Sequence, residues 1–383
     1  MFFRILIAVC ILLFAHNHHL NGQIADYNHW GHYQIFQENY RIDTSSQNQI
    51  LFRINNSNFF KNNEYQNDYV IGQTLVGLFF EPSIDFYAGP KTRIRTGAHV
   101  LKYHGTEQFQ HIKPALTIQH QAGDYLDILF GTIYSTTNHG LLEPLMGFEN
   151  YLSEHYENGM QFLFSYPNFK ADFWLNWEQF IQQDDPFQEH FTVGGHMLFP
   201  IVDGPTWKLN ADVQMIFRHK GGQIDSSDLP AGTQSNFAQG MEYTRKFESS
   251  FFKDFSLGHY YLGAYEINPG NHLKITEGIS QYSLVGMDTK IGQFRVGYWR
   301  GKDYFAPHAE ALFLSASQYN PDFYSSDREM ITIKYQIHKK LVNFLDIAFR
   351  FEPYYHLDTG RLDHSWSIYL MIDKTFFITQ FSK

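Results

Sequence analysis

The chain has 383 residues and a formal net charge of −10, and 18% of its residues are charged against roughly 25% in typical soluble domains. The negative charge and the lack of a basic stripe argue against a nucleic-acid partner. The one cysteine, Cys10, lies near the N-terminus, so disulfides, cysteine-ligated metals and thiol nucleophiles are excluded from the rest of the chain.

The first residues have the layout of a secretory signal. Arg4 provides a positive start, residues 5–15 are apolar, and Gly22 suits a signal-peptidase site. The apolar run is shorter than the roughly 20 residues of a membrane-spanning helix, although an uncleaved anchor helix is the alternative. Cys10 has no lipoprotein cleavage pattern around it. We therefore predict a signal peptide at 1–22 and a periplasmic or lumenal N-terminal segment at 23–45.

A strict two-residue alternation of apolar and polar side chains dominates the remaining sequence. It is clearest at 207–219, where the odd positions up to Phe217 are apolar and nearly all the even positions are polar. The same pattern occurs at 169–179, 331–338 and 345–352. Side chains alternate between the two faces of a strand, so each segment has one apolar face. These runs exceed the five or six residues of an ordinary strand and match the 9–11 of a tilted membrane strand.

Sixteen strands can be placed in this way, joined by alternating short and long links. They lie near 46–56, 69–80, 84–103, 113–121, 125–136, 157–166, 169–182, 189–202, 207–219, 236–248, 254–267, 275–290, 293–303, 329–340, 342–356 and 364–381. Predicted turns include Glu81-Pro82-Ser83, and predicted long loops include 57–68, 137–156 and 304–328. The pattern predicts an all-β, transmembrane antiparallel β-barrel of about 16 strands over 46–383, with short periplasmic turns and long extracellular loops.

This architecture resembles the porin-type outer-membrane barrels of Gram-negative bacteria. The last strand, from Trp366 to Phe381, is similar to the aromatic closing strand of such barrels. It departs from their pattern because Ser382 and Lys383 follow, and because Phe381 lies in the opposite register from Ile378. The resemblance implies a location in the cell outer membrane, with outer-membrane lipid around the barrel. The high aromatic content, 18% of the chain, fits rings placed at the headgroup level.

If the apolar faces meet lipid, the opposite faces line the barrel interior. The resulting candidate pore-lining residues are Arg93, Arg95, His99, Asp172, Glu178, Lys208, Asp212, Arg218, Arg295, Lys334, Asp346, Arg350 and Glu352. Both signs of charge occur, so strong ion selectivity is not predicted. The alternative is that these groups pair with one another and fill the interior. Arg93 and Arg95 lie two apart on one face and are a candidate anion contact.

The loop at 137–156 is less polar than a free surface loop, which predicts that it folds inward as a constriction or packs on the rim. Its constriction candidates are His139, Glu143 and Glu149. Their spacing matches no metal-binding or acid–base motif, so we expect a structural role, no metal and no cofactor. The loop at 304–328 also mixes apolar and polar residues and is a second candidate to line the entrance.

These features predict a porin-like channel for small polar solutes. The alternative is a closed barrel that binds a surface glycan or a partner protein through its Tyr- and Trp-bearing loops. Some outer-membrane barrels are hydrolases with Ser/His/acid sites on the outer wall or rim, but this sequence has no GxSxG element, and we predict that it is not an enzyme. A soluble secreted β-protein is the remaining structural alternative.

Overall fold

The computed structural model describes residues 30, 36–38, 41–267, 275–317, 319–320 and 322–381. The predicted signal peptide and most of the predicted N-terminal segment lie outside these residues. The described residues form sixteen strands. Their bounds are β1 Gln49–Glu64, β2 Thr74–Tyr87, β3 Thr92–Tyr103, β4 His111–Gln121, β5 Leu126–Thr132, β6 Asn158–Tyr166, β7 Phe169–Gln179, β8 Glu189–Asp203, β9 Trp207–Gly221, β10 Gly232–Lys246, β11 Phe252–Glu266, β12 Glu277–Thr289, β13 Gly292–Lys302, β14 Asp327–Val342, β15 Leu345–His356 and β16 Leu362–Gln380.

Each strand pairs with the next along the chain, and β1 pairs with β16 to close the sheet. All pairings are antiparallel, from Gln49↔Gln380 around to Leu345↔Ile372. Closure leaves no unpaired sheet edge, as a structure in lipid requires. The predicted all-β barrel of sixteen antiparallel strands is therefore confirmed, and its class is that of the outer-membrane barrels.

The two faces of the sheet differ as the alternation predicts. In β9, Asn210, Asp212 and Gln214 are buried inside the barrel, while Val213 and Met215 point outward. Large apolar side chains are exposed around the outer wall, including Ile118, Phe130, Val193, Val285 and Ile333. An apolar outer band around a polar interior is the arrangement of a barrel in a membrane. Among the described residues, no helix is both long and apolar enough to cross a membrane.

Two predicted links were wrong. Glu81-Pro82-Ser83 is not a turn: β2 continues through Pro82, which lies opposite Ile54 of β1. On the other side the recorded ladder with β3 passes from Phe80↔Val100 to Ser83↔Gly97, an interruption expected where proline has no N–H to donate. The turn lies at residues 88–91 instead.

The predicted loop at 57–68 was also wrong over its first half. β1 extends to Glu64, since its asparagine-rich end pairs with β2 and β16 on both sides.

The chain enters the barrel after β5. Residues 133–157, which we call the plug loop, run from β5 to β6, and their first half is buried. A second inner loop, residues 303–326, meets it from β13. The backbone N–H of Gly147 donates to the carbonyl of His308 at 2.7 Å, and that of Glu310 to the carbonyl of Glu143 at 3.0 Å. Leu141, Leu142, Leu145 and other plug-loop side chains join inward wall residues in a hydrophobic cluster, so the lumen has a packed centre.

Candidate functional site

The candidate pore-lining residues all lie on the inner side of the wall, and most are paired there. The recorded ion pairs are Arg95–Asp85, His99–Glu81, Asp172–His139, Glu178–Arg218, Lys208–Asp203, Asp212–His196, Arg295–Asp288, Lys334–Glu143, Asp346–His338 and Arg350–Glu352. Arg93 instead donates to the side chains of Gln119 and Tyr134. The structure thus favours the paired alternative for this set.

The three constriction candidates attach the plug loop to the wall. His139 is fully buried between Asp172, 2.8 Å from its Nδ1, and Glu157, 3.2 Å from its Nε2, and it stacks on Trp174 at 3.6 Å between ring centroids. Burial disfavours the charged imidazole, but the attraction of Asp172 and Glu157 is larger and raises the pKa of His139 to about 9.

The other two candidates form ion pairs with lysines of the wall. Glu143 pairs with Lys334 of β14, and Glu149 pairs with Lys61 of β1 at 2.5 Å. The plug loop leaves the wall at β5, and β14 lies nearly opposite in the closed sheet, so the Glu143–Lys334 pair fixes the loop across the lumen.

A polar cavity lies between the plug loop and strands β2 to β5. This inner cavity is lined by Glu81, Arg93, Tyr134, Ser135 and His155, among others. Ser135 Oγ is 3.4 Å from His155 Nδ1, and His155 Nε2 is 3.9 Å from Glu81 Oε1. The arrangement has the order of a serine–histidine–acid triad, but its distances are long and the Ser135 hydroxyl donates to the carbonyl of His155.

Two vestibules open at the ends of the barrel. A periplasmic vestibule of about 1420 Å³ lies where both ends of the sheet meet, near Arg41, Tyr87 and Asp373. An extracellular vestibule of about 1450 Å³ lies beside His190 and His308. The plug loop contributes to the walls of both, so it separates them.

A second serine–histidine pair lies on the outer wall. His259 of β11 and Ser283 of β12 are direct neighbours across the strands, and His259 Nδ1 is 2.8 Å from Ser283 Oγ. Both residues point outward, because the flanking Gly258, Tyr260 and Leu284 are buried on the inner face. We call His259 and Ser283 the outer-wall pair.

An apolar groove surrounds the outer-wall pair. Its volume is about 1000 Å³, and its apolar lining includes Leu209, Met241, Leu257, Val285, Val296 and Ile331. Gly258 and Gly297 also line it through their backbone, since both residues face the barrel interior. A serine hydroxyl and an imidazole at its centre break an otherwise apolar lipid-facing surface.

The strand register places the outer-wall pair at a boundary of polarity. The outward residues one step nearer the extracellular side are Gln239, Tyr261, Gln281, Arg300 and Glu329. Those one step nearer the periplasm are Tyr243, Leu257, Val285, Val296 and Ile333. The first row is polar and aromatic, and the second is mainly apolar. The pair therefore lies between a polar row and an apolar row of the outer wall.

Sequence reasoning did not find His259 and Ser283. Both lie inside strands placed correctly at 254–267 and 275–290, on the outward face of the wall. The available signal was the exception to the alternation, a polar side chain in the register of Leu257, Val285 and Met287. The two residues are 24 positions apart, so only the strand pairing shows that they meet.

Among the described residues, no group of three or more His, Cys, Asp or Glu side chains is arranged to hold a metal ion. A serine hydroxyl beside an imidazole is the basic unit of nucleophilic acyl transfer.

Comparison with solved structures identifies the fold. The chain resembles OprD of Pseudomonas aeruginosa with 8% identity and a TM-score of 0.50, covering 89% of this chain and 100% of that one. It resembles the anion-selective porin of Comamonas acidovorans with 11% identity and a TM-score of 0.50, covering 85% and 99%. It also resembles a loop-deletion form of Vibrio cholerae OmpT with 8% identity and a TM-score of 0.50, covering 85% of this chain and 99% of that one. The porin-type architecture predicted from the sequence is confirmed at the level of fold.

Comparison with protein families gives a different indication of activity. A family model described as lipid A 3′-O-deacylase-type matches residues 42–381. No curated protein matches the chain. The prediction that the chain is not an enzyme is wrong, because the matching family is one of enzymes. The missing GxSxG element misled that prediction, since a nucleophile on a membrane strand needs no such turn.

Proposed function

The chain belongs to the lipid A 3′-O-deacylase-type family, and on that premise we propose that it is an outer-membrane hydrolase that removes an ester-linked acyl chain from a lipid A-type glycolipid. The observation that carries the proposal is the 2.8 Å contact between His259 and Ser283 on the lipid-facing wall. We assign Ser283 as the nucleophile and His259 as the general base.

The location of the substrate favours the outer pair over the inner one. The acyl chains of a membrane glycolipid stay in the hydrocarbon layer, which the outer-wall groove faces directly. Ser135 and His155 lie in a polar cavity behind the wall, and an acyl chain would have to leave the bilayer to reach them. The Ser135 hydroxyl is also bonded to a backbone carbonyl, whereas Ser283 is bonded to the base.

The proposed chemistry proceeds in two balanced steps. Ser283 Oγ attacks the acyl carbonyl carbon while His259 Nδ1 accepts the serine proton, and the sugar oxygen then leaves with that proton to give an acyl-serine. A water molecule attacks the acyl-serine, gives a proton to His259, and releases the fatty acid while Ser283 recovers its proton. The groove beside Leu257 and Val285 keeps the acyl chain aligned during both steps.

In the described part of the chain, no carboxylate lies within ion-pair distance of His259. Its ring instead packs edge-on against Tyr261, with 4.8 Å between ring centroids and 86° between planes. The aromatic contact and the hydrogen bond to Ser283 together fix the orientation of the imidazole, the task of the acid in a full triad.

The experiment compares fatty-acid release from lipid A by the purified barrel in mixed micelles, measured by mass spectrometry. We expect Ser283→Ala to reduce release to background and His259→Asn to slow it about 10²–10⁴-fold, the usual contribution of a general base. Ser135→Ala is the matched control, a serine beside a histidine within the same barrel, and should keep wild-type activity. Loss of activity in Ser135→Ala with full activity in Ser283→Ala would assign the reaction to the inner cavity.

A second candidate function is passage of small polar solutes through the lumen. The specific observation that favours it is the pair of large polar vestibules at opposite ends of the barrel. Since the plug loop lies between them, passage requires that loop to move. Single-channel conductance tests this function independently of the hydrolase reaction.

A further inference from the structure

The inner cavity contains an arginine that forms no ion pair with any carboxylate among the described residues. Arg93 of β3 is 4% exposed and lines the cavity. Its Nη2 donates to Gln119 Oε1 at 2.6 Å and to the Tyr134 hydroxyl, and both acceptors are neutral. Its Nε is buried without a hydrogen-bond partner in the described part of the chain.

The neighbouring arginines are different. Arg95 binds both oxygens of Asp85, at 2.7 and 3.0 Å, and contacts Glu38 at 3.0 Å. Arg53 pairs with Glu38 at 2.9 Å and with Asp373 at 2.8 Å. The sequence predicted Arg93 and Arg95 together as an anion contact. The structure separates their roles, because Arg95 forms ion pairs with carboxylates and Arg93 does not.

A buried, uncompensated guanidinium is costly, and a partner usually accompanies it. Asp127 attracts Arg93 only at a distance, because Gln119 lies between them, donating to Asp127 at 3.0 Å and accepting from Arg93 at 2.6 Å. Of the arginines 53, 93 and 95 that line the cavity, Arg53 and Arg95 form ion pairs with carboxylates and Arg93 forms none.

We propose that the inner cavity is a binding site for a small oxyanion, the carboxylate or phosphate group of a water-soluble solute, with Arg93 as its counter-ion. The free Nε gives the guanidinium a donor to offer to an oxyanion. The site is distinct from the outer-wall pair and does not depend on the proposed hydrolase function.

The ligand would enter from the periplasmic side. The inner cavity shares Glu38, Arg53, Arg93, Arg95 and His155 with the periplasmic vestibule, so the two spaces are continuous. The paired arginines at the junction form a polar entrance, and Arg93 lies behind them.

Thermal unfolding of the full barrel in detergent tests the site, with inorganic phosphate in one series and acetate in another, at constant ionic strength. We expect a saturable rise in Tm for at least one anion, because a ligand that binds only the folded state stabilises it. The anion that raises Tm identifies a phosphate or a carboxylate group. In Arg93→Met, whose side chain has similar length without charge, we expect at least tenfold weaker apparent binding.

Arg361→Met is the matched control, because Arg361 is half exposed and pairs with Asp68 outside the cavity. Its Tm should respond as the wild type does. Heat-modifiable gel mobility verifies folding, and if Arg93→Met does not fold, Arg93→Lys should bind severalfold more weakly by keeping the charge without the planar fork. Absence of a saturable rise in the wild type for both anions, or an equal rise in a folded Arg93 variant, would overturn the proposal.

Discussion

His139 shows how one side chain can hold a loop inside a barrel. It belongs to the plug loop, while Asp172 belongs to β7 and Glu157 to the loop's far end, so its two ion pairs join three segments. Its carbonyl also accepts a hydrogen bond from His196 Nδ1 at 2.7 Å. With its pKa raised to about 9, the imidazole keeps its proton at neutral pH.

The raised pKa of His139 predicts a dependence of stability on pH. A folded-state pKa above the unfolded value near 6.5 contributes stability that is fully present below pH 6.5 and is lost as pH rises through about 9. We expect the free energy of unfolding to fall by on the order of 3 kcal/mol over that interval, the equivalent of the shift. His139→Gln should remove most of this slope. Urea unfolding of the wild type and of His139→Gln at pH 6 and pH 9.5 measures this loss of stability. An equal loss in the two proteins would contradict the raised pKa of His139.

Individual inward charges were predictable from the sequence, but their partners were not. Alternation alone placed Lys334 inside, because its neighbours Ile333 and Tyr335 carry the apolar face. Its partner Glu143 comes from a loop that crosses the lumen, and no local pattern encodes such a contact. The same limit applies to His259 and Ser283, whose meeting depends on the register of β11 against β12.

Strand β9 is the element whose two faces are most clearly separated. Val213 lies at its centre and points outward, opposite Met197 and Gln239 of the neighbouring strands. We expect Val213→Arg to cost about 2–4 kcal/mol, because a guanidinium near the bilayer midplane loses its hydration. Urea unfolding in phospholipid vesicles measures the cost, with Val213→Leu as the control of similar shape. Equal stability of the two variants would place this face away from the hydrocarbon.

Strands were predictable in proportion to the regularity of their alternation. The predicted strand at 207–219 matches β9 to within a few residues, because its polar and apolar positions do not mix. β2 was divided wrongly at Pro82, where a local turn signal was outweighed by pairing with β1. β5 ends at Thr132 instead of near 136, since the plug loop leaves the wall there and its first residues remain apolar enough to look like strand.

At the scale of the whole molecule, the plug loop decides whether the two vestibules communicate. We expect the intact barrel in planar bilayers to show only small or brief conductance steps, and a variant lacking residues 138–148 to remain open with larger steps. The physical reason is that Leu141, Leu142 and Leu145 are fully buried in the packed centre of the lumen. Equal conductance of the two proteins, with folding verified, would show that ions take another route.

The barrel itself was predictable because sixteen strands repeat the same apolar–polar alternation, and because every second link lies on the same side of the membrane. What fills the barrel was not, since loops and wall residues meet there without periodicity. The alternation pattern also could not show that the chain belongs to an enzyme family. A single polar pair among many outward apolar positions is too small a signal to register in a period-two analysis.

Trp30 lies directly behind the outer-wall pair. The Trp30 ring packs against Gly258 and Gly286. A Cβ atom added at Gly258 would lie 2.7 Å from Trp30 Nε1, and one added at Gly286 would lie 3.0 Å from the Trp30 ring. It precedes β1 in the chain, yet it supports strands that are synthesised more than two hundred residues later. The wall at His259 and Ser283 can therefore acquire its final packing only after these late strands and Trp30 have come together. Catalytic competence would then be among the last properties acquired during biogenesis, which makes enzyme activity a reporter of completed assembly.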